Sequence, residues 1–392
     1  VTTQIALDDE TDRYHRQSLI SWWDQERLAA ARVLIVGAGA LGNELIKNLA
    51  LLGVGSIVIV DRDTIENSNL ARCVLFRAKD EGEPKAPLAA VRATEMNPDV
   101  CAVGIAGDVR HTIGLGAFID ADVVLGGLDN REARLFLNAA CWKTGTPWID
   151  GAIEGLMGVM RTFVPPDSAD YESTMSRDEH ELLARRRACT MLTREELESG
   201  KVPTTATTAS VVAGLQAQEA IKLLHRDRID ADFGGKGFVY NGLTHDSYVV
   251  TYATREDALT RDSYELEHLV PVGGDVSFGE LTKQARAAMG DDAHLLLEHE
   301  VVRAFSCGSC DSREDVDRPT TSLSAGAALC PQCGGERRLA LVHRIDSDDD
   351  DLARLTPADL GIPPAEIVTA VAGSERRFFL VDPDASPFRS DG

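Results

Sequence analysis

Residues 32–61, RVLIVGAGALGNELIKNLALLGVGSIVIVD, decide the fold. The apolar, β-branched run Arg32–Val36 predicts a strand, the glycines that follow predict a turn, Asn43–Leu52 predicts a helix, and Ser56–Val60 predicts a second strand. Together they form a βαβ unit with a right-handed crossover. Gly37, Gly39 and Gly42 suit a turn that is tight, lets backbone approach a phosphate, and packs helix against strand. The helix then offers free N–H groups and a partial positive charge to an anion. Asp61 ends the second strand, where a carboxylate can accept from ribose hydroxyls. All of this describes a dinucleotide site equally well.

Outward from this unit, strands are expected at 100–105, 123–125, 148–152 and 158–164, with helices at 86–96 and 131–142 between them. That alternation predicts a Rossmann-like, doubly wound and mostly parallel sheet covered on both faces. Upstream, 14–31 reads as one helix burying Leu19, Trp22, Trp23 and Leu28. Residues 166–203 are polar and irregular and read as a mobile crossover. A long helix at 204–224 and strands at 238–241 and 247–252 close a first domain, 1–254. From about Arg255 the composition shifts, and 255–392 reads as a smaller C-terminal α+β module ending in strands at 368–371 and 378–381.

The chain has 392 residues, 44% hydrophobic and 26% charged, with 40 basic against 63 acidic side chains and a net charge of −23. Such a balance repels a phosphate backbone, disfavours nucleic acid as a partner and suits a basic protein surface. No apolar stretch reaches membrane-spanning length, and the polar N-terminus lacks a signal-peptide core, so a cytoplasmic protein is expected. Of the eight cysteines, Cys307, Cys310, Cys330 and Cys333 form two CxxC pairs. That spacing suits four thiolates on a structural Zn²⁺ in a zinc ribbon at about 305–335. Cys101 and Cys141 fall in expected core elements.

The choice between NAD and ATP rests on residues a hydride-transfer site does not need. Asp63, Asn69, Arg72 and Lys85 follow Asp61, and Asp129 and Asn130 follow the strand at 123–125. Singly, Arg72 or Lys85 reads as a solvated surface charge, and Asp129–Asn130 as a helix cap. As a set they suit a triphosphate, which needs cations around it and a carboxylate for Mg²⁺.

At RYHRQ (13–17), the glycine segment 33–55, IVDRDTIENSNLAR (59–72), EPKA (83–86), GLDNREAR (127–134) and VPTTATTASVVAGLQAQEAIKLL (202–224), the chain resembles the ubiquitin-activating-enzyme-like superfamily of ThiF, MoeB and HesA. The resemblance implies ATP- and Mg²⁺-dependent adenylation of the C-terminal carboxylate of a small ubiquitin-like or sulfur-carrier β-grasp protein. It makes Asp61 the ribose ligand, Asn69 and Arg72 triphosphate contacts, Lys85 the lysine that steadies the phosphates, and Asp129 the Mg²⁺ ligand. Arg16 resembles an arginine that reaches the partner's site, implying a homodimer. Cys189, in RRRACT at 185–190, resembles the cysteine that carries a thioester in activating enzymes, after which a conjugating enzyme could act. Its neighbouring arginines favour thiolate. Cys73, beside Arg72, is a lesser alternative. Many relatives hold a different zinc with one CxxC early in the crossover and another after the closing strands. Here Asp170, Tyr171, Glu172 and Ser173 stand in the first place, and 254–267 has no cysteine. Three readings remain open: an activating enzyme with a thioester step, a sulfur-carrier adenylyltransferase without one, and a non-catalytic nucleotide-binding scaffold.

Overall fold

The computed structural model describes residues 12–180, 203–230, 232–346 and 350–389. In chain order its first elements are α1 (His15–Ser18), α2 (Gln25–Ala30), β1 (Arg32–Val36), α3 (Ala40–Leu52), β2 (Ser56–Asp61), α4 (Lys85–Met96), β3 (Cys101–Ala106), α5 (Val109–Thr112), α6 (Leu115–Asp120), β4 (Val123–Gly126), α7 (Arg131–Thr144), β5 (Trp148–Glu154) and β6 (Met157–Phe163). Then α8 (Ala206–Leu224), β7 (Lys236–Asn241) and β8 (Asp246–Thr251) complete an eight-stranded sheet of order β3-β2-β1-β4-β5-β6-β7-β8. From β3 to β5 all pairings are parallel; β6, β7 and β8 add antiparallel. Order reverses between β1 and β4, so the crevice beyond the C-terminal ends of these strands is the natural ligand position.

The two faces are covered differently. On one, α3, α4 and α8 bury Leu45, Leu49, Ala89, Val212 and Ala213 against Val33, Ile35, Ile57 and Ile59. On the other, Leu34, Val58 and Val124 meet Phe118 of α6 and Leu137 and Trp142 of α7. Strand residues alternate between these cores, as a two-periodic side-chain pattern requires.

A second sheet follows, built from β9 (Leu269–Val272), β10 (His294–Cys307), β11 (Arg313–Pro319), β12 (Arg337–Ile345), β13 (Ile367–Ala372) and β14 (Glu375–Val381). Its order is β11-β10-β13-β14-β9, with β12 also on β10. The helix α9 (Phe278–Met289) closes its own core through Phe278, Leu281 and Ala285. Ile367, Phe378 and Leu380 instead enter the core beneath α6 and α7. Gly116 N–H donates to Ala365 O at 2.7 Å, and a Cβ on Gly114 would meet Ala365 at 2.4 Å. The module is therefore seated directly on the first sheet's helices.

Three sequence expectations are corrected. Residues 14–31 form two short helices, because Asp24 caps α2 by accepting from Arg27 N–H and ends the preceding turn. Leu28 is buried, but Leu19 is 44% exposed and Trp22 and Trp23 are only half-buried, Trp22 meeting His225 edge-on and Trp23 at a tilt. Residues 169–180 are no loose loop: Asp170, Tyr171, Glu172, Met175 and His180 are buried. Cys101 is exposed, because β3 is an edge strand; Cys141 is buried. Glu172 joins the segment at 170–173 to the one at 254–267. Its carboxylate accepts from Leu259 N–H at 3.0 Å and from the Thr260 hydroxyl, and lies 2.8 Å from His180 Nε2.

Candidate functional site

The three glycines of the turn do different work. Gly37 has φ 97°, and a Cβ there would lie 2.4 Å from Gly127 O. On Gly42 a Cβ would lie 1.9 Å from Gly37 O, so this position carries the tight packing of helix on turn. Around the Cβ direction of Gly39, the residue preceding α3, no heavy atom beyond its own chain neighbours lies within 4 Å. That open cradle at a helix N-terminus fits a phosphate. Buried Asn43 fixes the turn: Nδ2 donates to Ala38 O at 2.7 Å and Gly39 O at 3.1 Å, while Oδ1 accepts from Leu75 N–H at 2.9 Å.

Beside the cradle, Asp61 Oδ2 accepts from Ala38 N–H at 2.6 Å and Oδ1 from Asp63 N–H at 2.7 Å. Each oxygen keeps a lone pair for a ribose hydroxyl. Burial pushes the Asp61 carboxyl up, with Lys85 opposing. Lys85 opens α4 and is 7% exposed, with Nζ 3.0 Å from Asp63 Oδ2. A cation at a helix N-terminus works against the helix dipole, so its placement there asks for an anion such as Asp63 or a phosphate.

Asn69 is buried, its Oδ1 accepting from Glu66 N–H at 3.1 Å. Arg72 Nη1 donates to Ser68 O at 2.9 Å, and among the described residues no carboxylate pairs with it. Asp63 links Asp61 to Lys85, its N–H donating to the one and its carboxylate facing the other, and Arg72 directly precedes the buried Cys73 thiol. Burial pushes that thiol up to about 11, so Cys73 is a poor nucleophile.

Gly127 N–H donates to Val36 O at 2.8 Å, which holds the β4 loop against the glycine turn. Two residues on, Asp129 is exposed, with Oδ1 3.3 Å from Asn130 Nδ2. An exposed carboxylate beside a phosphate cradle fits Mg²⁺, which takes one or two carboxylates with substrate oxygens. Asn130 is the N-cap of α7, accepting from Ala133 N–H at 2.8 Å.

Two predicted residues are not brought to this cluster. Arg16 is exposed on α1, which is anchored at the far end of α3: Tyr14 lies under Gly53 and accepts from Asn97 Nδ2 at 2.7 Å. A helix of 13 residues separates the two ends, about 20 Å. Cys189 lies outside the described residues.

Several buried polar residues were not singled out from sequence. Asp150 sits between Arg134 and Arg161, with nitrogen to oxygen distances of 2.7 Å on each side. Burial works against the Arg134 charge, and Asp150 together with Tyr171 more than offsets it. Gln216 Nε2 donates to Gly126 O at 2.9 Å and Ile149 O at 3.2 Å. Their signal in the sequence is a polar side chain inside an apolar strand or helix face.

A second site lies at the tip of β10. Cys307, Cys310, Cys330 and Cys333 place their sulfurs within 4.8 Å of one another, with the closest pairs at 3.5 and 3.7 Å. Tetrahedral Zn²⁺ with bonds of about 2.3 Å implies sulfur separations of about 3.8 Å, so the cluster fits. The Ser312 hydroxyl and the Gln332 and Cys333 N–H groups hold the Cys330 thiol down, to about 6.

Among the described residues no helix is long and apolar enough to cross a membrane. The ThiF family model matches residues 12–259. The SAMP-activating enzyme E1 of Haloferax volcanii is 34% identical over 64% of this chain and 90% of its own length. The sulfur carrier protein ThiS adenylyltransferase of Escherichia coli is 32% identical over 55% of this chain and 82% of its own. The crystal structure of E. coli MccB with ATP shares the fold, with a TM-score of 0.53 over 65% of this chain and 75% of that one, at 22% identity. With the glycine turn, Asp61, Arg72, Lys85 and Asp129 all inside the matched span, the chain belongs to the ThiF family of enzymes.

Proposed function

We propose that the protein adenylates the C-terminal carboxylate of a small ubiquitin-like β-grasp protein and then carries the acyl group on Cys189. The observation that carries the first step is the open cradle at Gly39 beside Asp61, which accepts from Ala38 N–H and is linked through Asp63 to Lys85. In that step a carboxylate oxygen attacks the α-phosphorus of ATP, the bond to pyrophosphate breaks, and an acyl adenylate forms. The nucleophile is already anionic, so the site needs no general base. Lys85 and Arg72 gather the phosphate charge, and Asp61 fixes the ribose. Asn69 would complete the triphosphate contacts, and Asn130 would add to them while capping α7. Asp129 would hold Mg²⁺, which when bound neutralises charge on the phosphates.

In the second step the Cys189 thiolate attacks the acyl carbon and AMP leaves, giving a thioester that a conjugating enzyme could take. Arg16, remote from its own chain's cluster, would serve the site of a second copy in a homodimer. The four cysteines would hold a structural Zn²⁺. ATP–pyrophosphate exchange dependent on a β-grasp protein ending in glycine tests the first step, and its absence in the full chain overturns the reading. Cys189→Ala should keep exchange and lose the reducible adduct.

A second reading, adenylation of a sulfur carrier with no enzyme thioester, is supported by the similarity to the ThiS adenylyltransferase. An adduct that persists undiminished in Cys189→Ala removes Cys189 from the first reading. Exchange with no adduct in the unaltered chain favours the second.

A further inference from the structure

The Arg134 guanidinium is buried and faces two ways. Nε donates to Asp150 Oδ1 at 2.7 Å. Nη2 donates to Leu128 O at 2.6 Å and Gly151 O at 3.1 Å, and Nη1 reaches Asn130 O at 3.5 Å. Leu128 and Asn130 flank Asp129, so one side chain grips the carbonyls on both sides of the exposed carboxylate. Asp150 is fully buried and is also bonded by Arg161 Nη1 at 2.7 Å. One arginine is enough to balance one carboxylate. A second buried cation carries a desolvation cost that the Asp150 charge does not require.

We propose that Arg134 is a positioning residue, which fixes the 128–130 loop so that the Asp129 carboxylate meets the divalent metal of a metal–ATP complex. This rests on the reading of Asp129 as the Mg²⁺ ligand. The planar fork is essential, because it spans two carbonyls and a carboxylate at once; a lysine supplies the charge without the span. Arg134 is buried with its donors turned to the loop carbonyls and Asp150, so it acts through the loop.

The test is calorimetric titration of the full chain with ATP in Mg²⁺ and again in EDTA; the ratio of the two Kd values is the Mg²⁺-dependent gain. Arg134→Gln leaves a neutral Asp150–Arg161 pair and should lower the gain about 10-fold or more, leaving the Kd in EDTA unchanged. Arg134→Lys, which keeps the buried charge, is the second variant and should lose the gain similarly. Arg161→Gln disturbs the same carboxylate but not the loop and should keep the gain. Adding Arg134→Gln to Asp129→Asn should cost nothing beyond Asp129→Asn alone.

A wild-type gain in both Arg134 variants, or equal weakening in Mg²⁺ and EDTA, overturns the positioning role while Asp129 stands. Loss in the double variant by the full product of the single losses does the same. A full gain in Asp129→Asn overturns the metal-ligand reading and this inference with it.

Discussion

Asp61 needs its charge to accept from ribose, yet burial raises its pKa, and Lys85 acts in the opposite direction. A carboxyl raised on folding contributes stability that is fully present below its unfolded value and lost as pH rises through the folded value. Ionising Asp61 therefore costs the fold more than ionising an ordinary aspartate, yet the ionised form is the useful one for binding. ATP affinity should weaken as pH falls through the raised value, earlier than for an ordinary aspartate. In Lys85→Met the opposing influence is gone, so the midpoint should move to higher pH. The measurement is ATP Kd against pH for both proteins, and an unmoved midpoint would separate Lys85 from Asp61. Cys73, pushed up to about 11 and buried, should resist iodoacetamide at pH 8 while exposed Cys101 is alkylated, as mass spectrometry would show. Lys85 and Asp61 were legible because they sit at fixed distances from a glycine turn. Arg134 and Asp150 were not, because their pairing arises from β4 lying beside β5, which no local pattern encodes.

Asn130 shows how one residue can satisfy two readings. Its Oδ1 accepts from Ala133 N–H, so Asn130→Ala should cost about 1 kcal/mol of stability, and Asn130→Ser should recover most of it. Thermal melts of the three proteins check this; if ATP Kd rises in Ala and Ser variants alike, the side chain contacts nucleotide as well as capping. Most strands and helices were readable, because continuous β-branched runs and three-to-four-residue spacing mark a parallel sheet and its covering helices. The region around 14–31 was not, since helical spacing of apolar residues says nothing about where a cap such as Asp24 restarts the chain. The segment at 169–180 misled for a related reason. Its polar residues are buried because Glu172 gathers donors from 259–260, a distant stretch of chain.

At the level of the whole molecule, β10 belongs to two environments. Leu295 and Leu297 are buried in the module core, where 294–297 pairs with β13. Its farther half pairs with β11 and β12 and ends at Cys307 in the thiol cluster. Leu329 and Leu341 remain exposed on this ribbon, so few apolar contacts hold its tip together. A metal on the four sulfurs would supply what the missing core does not. The base of the module is held otherwise, through Ile367, Phe378 and Leu380 in the core under α6 and α7, and through Tyr264 stacked on Phe378 at 4.4 Å. Chelation should therefore loosen the ribbon alone. Hydrogen exchange after treatment with a zinc chelator should rise in 301–318 and 330–345 and stay protected in β1, β4, β13 and β14, with ATP Kd unchanged. Phe378→Ala should act in the opposite sense. It removes a buried ring from the shared core at a cost of about 3–5 kcal/mol, lowers the melting temperature of the whole chain, and leaves the stoichiometry of bound zinc as it was. If chelation instead deprotects β1 and β4 and abolishes ATP binding, the ribbon supports the nucleotide-binding sheet, and the separation of the two environments along β10 is wrong.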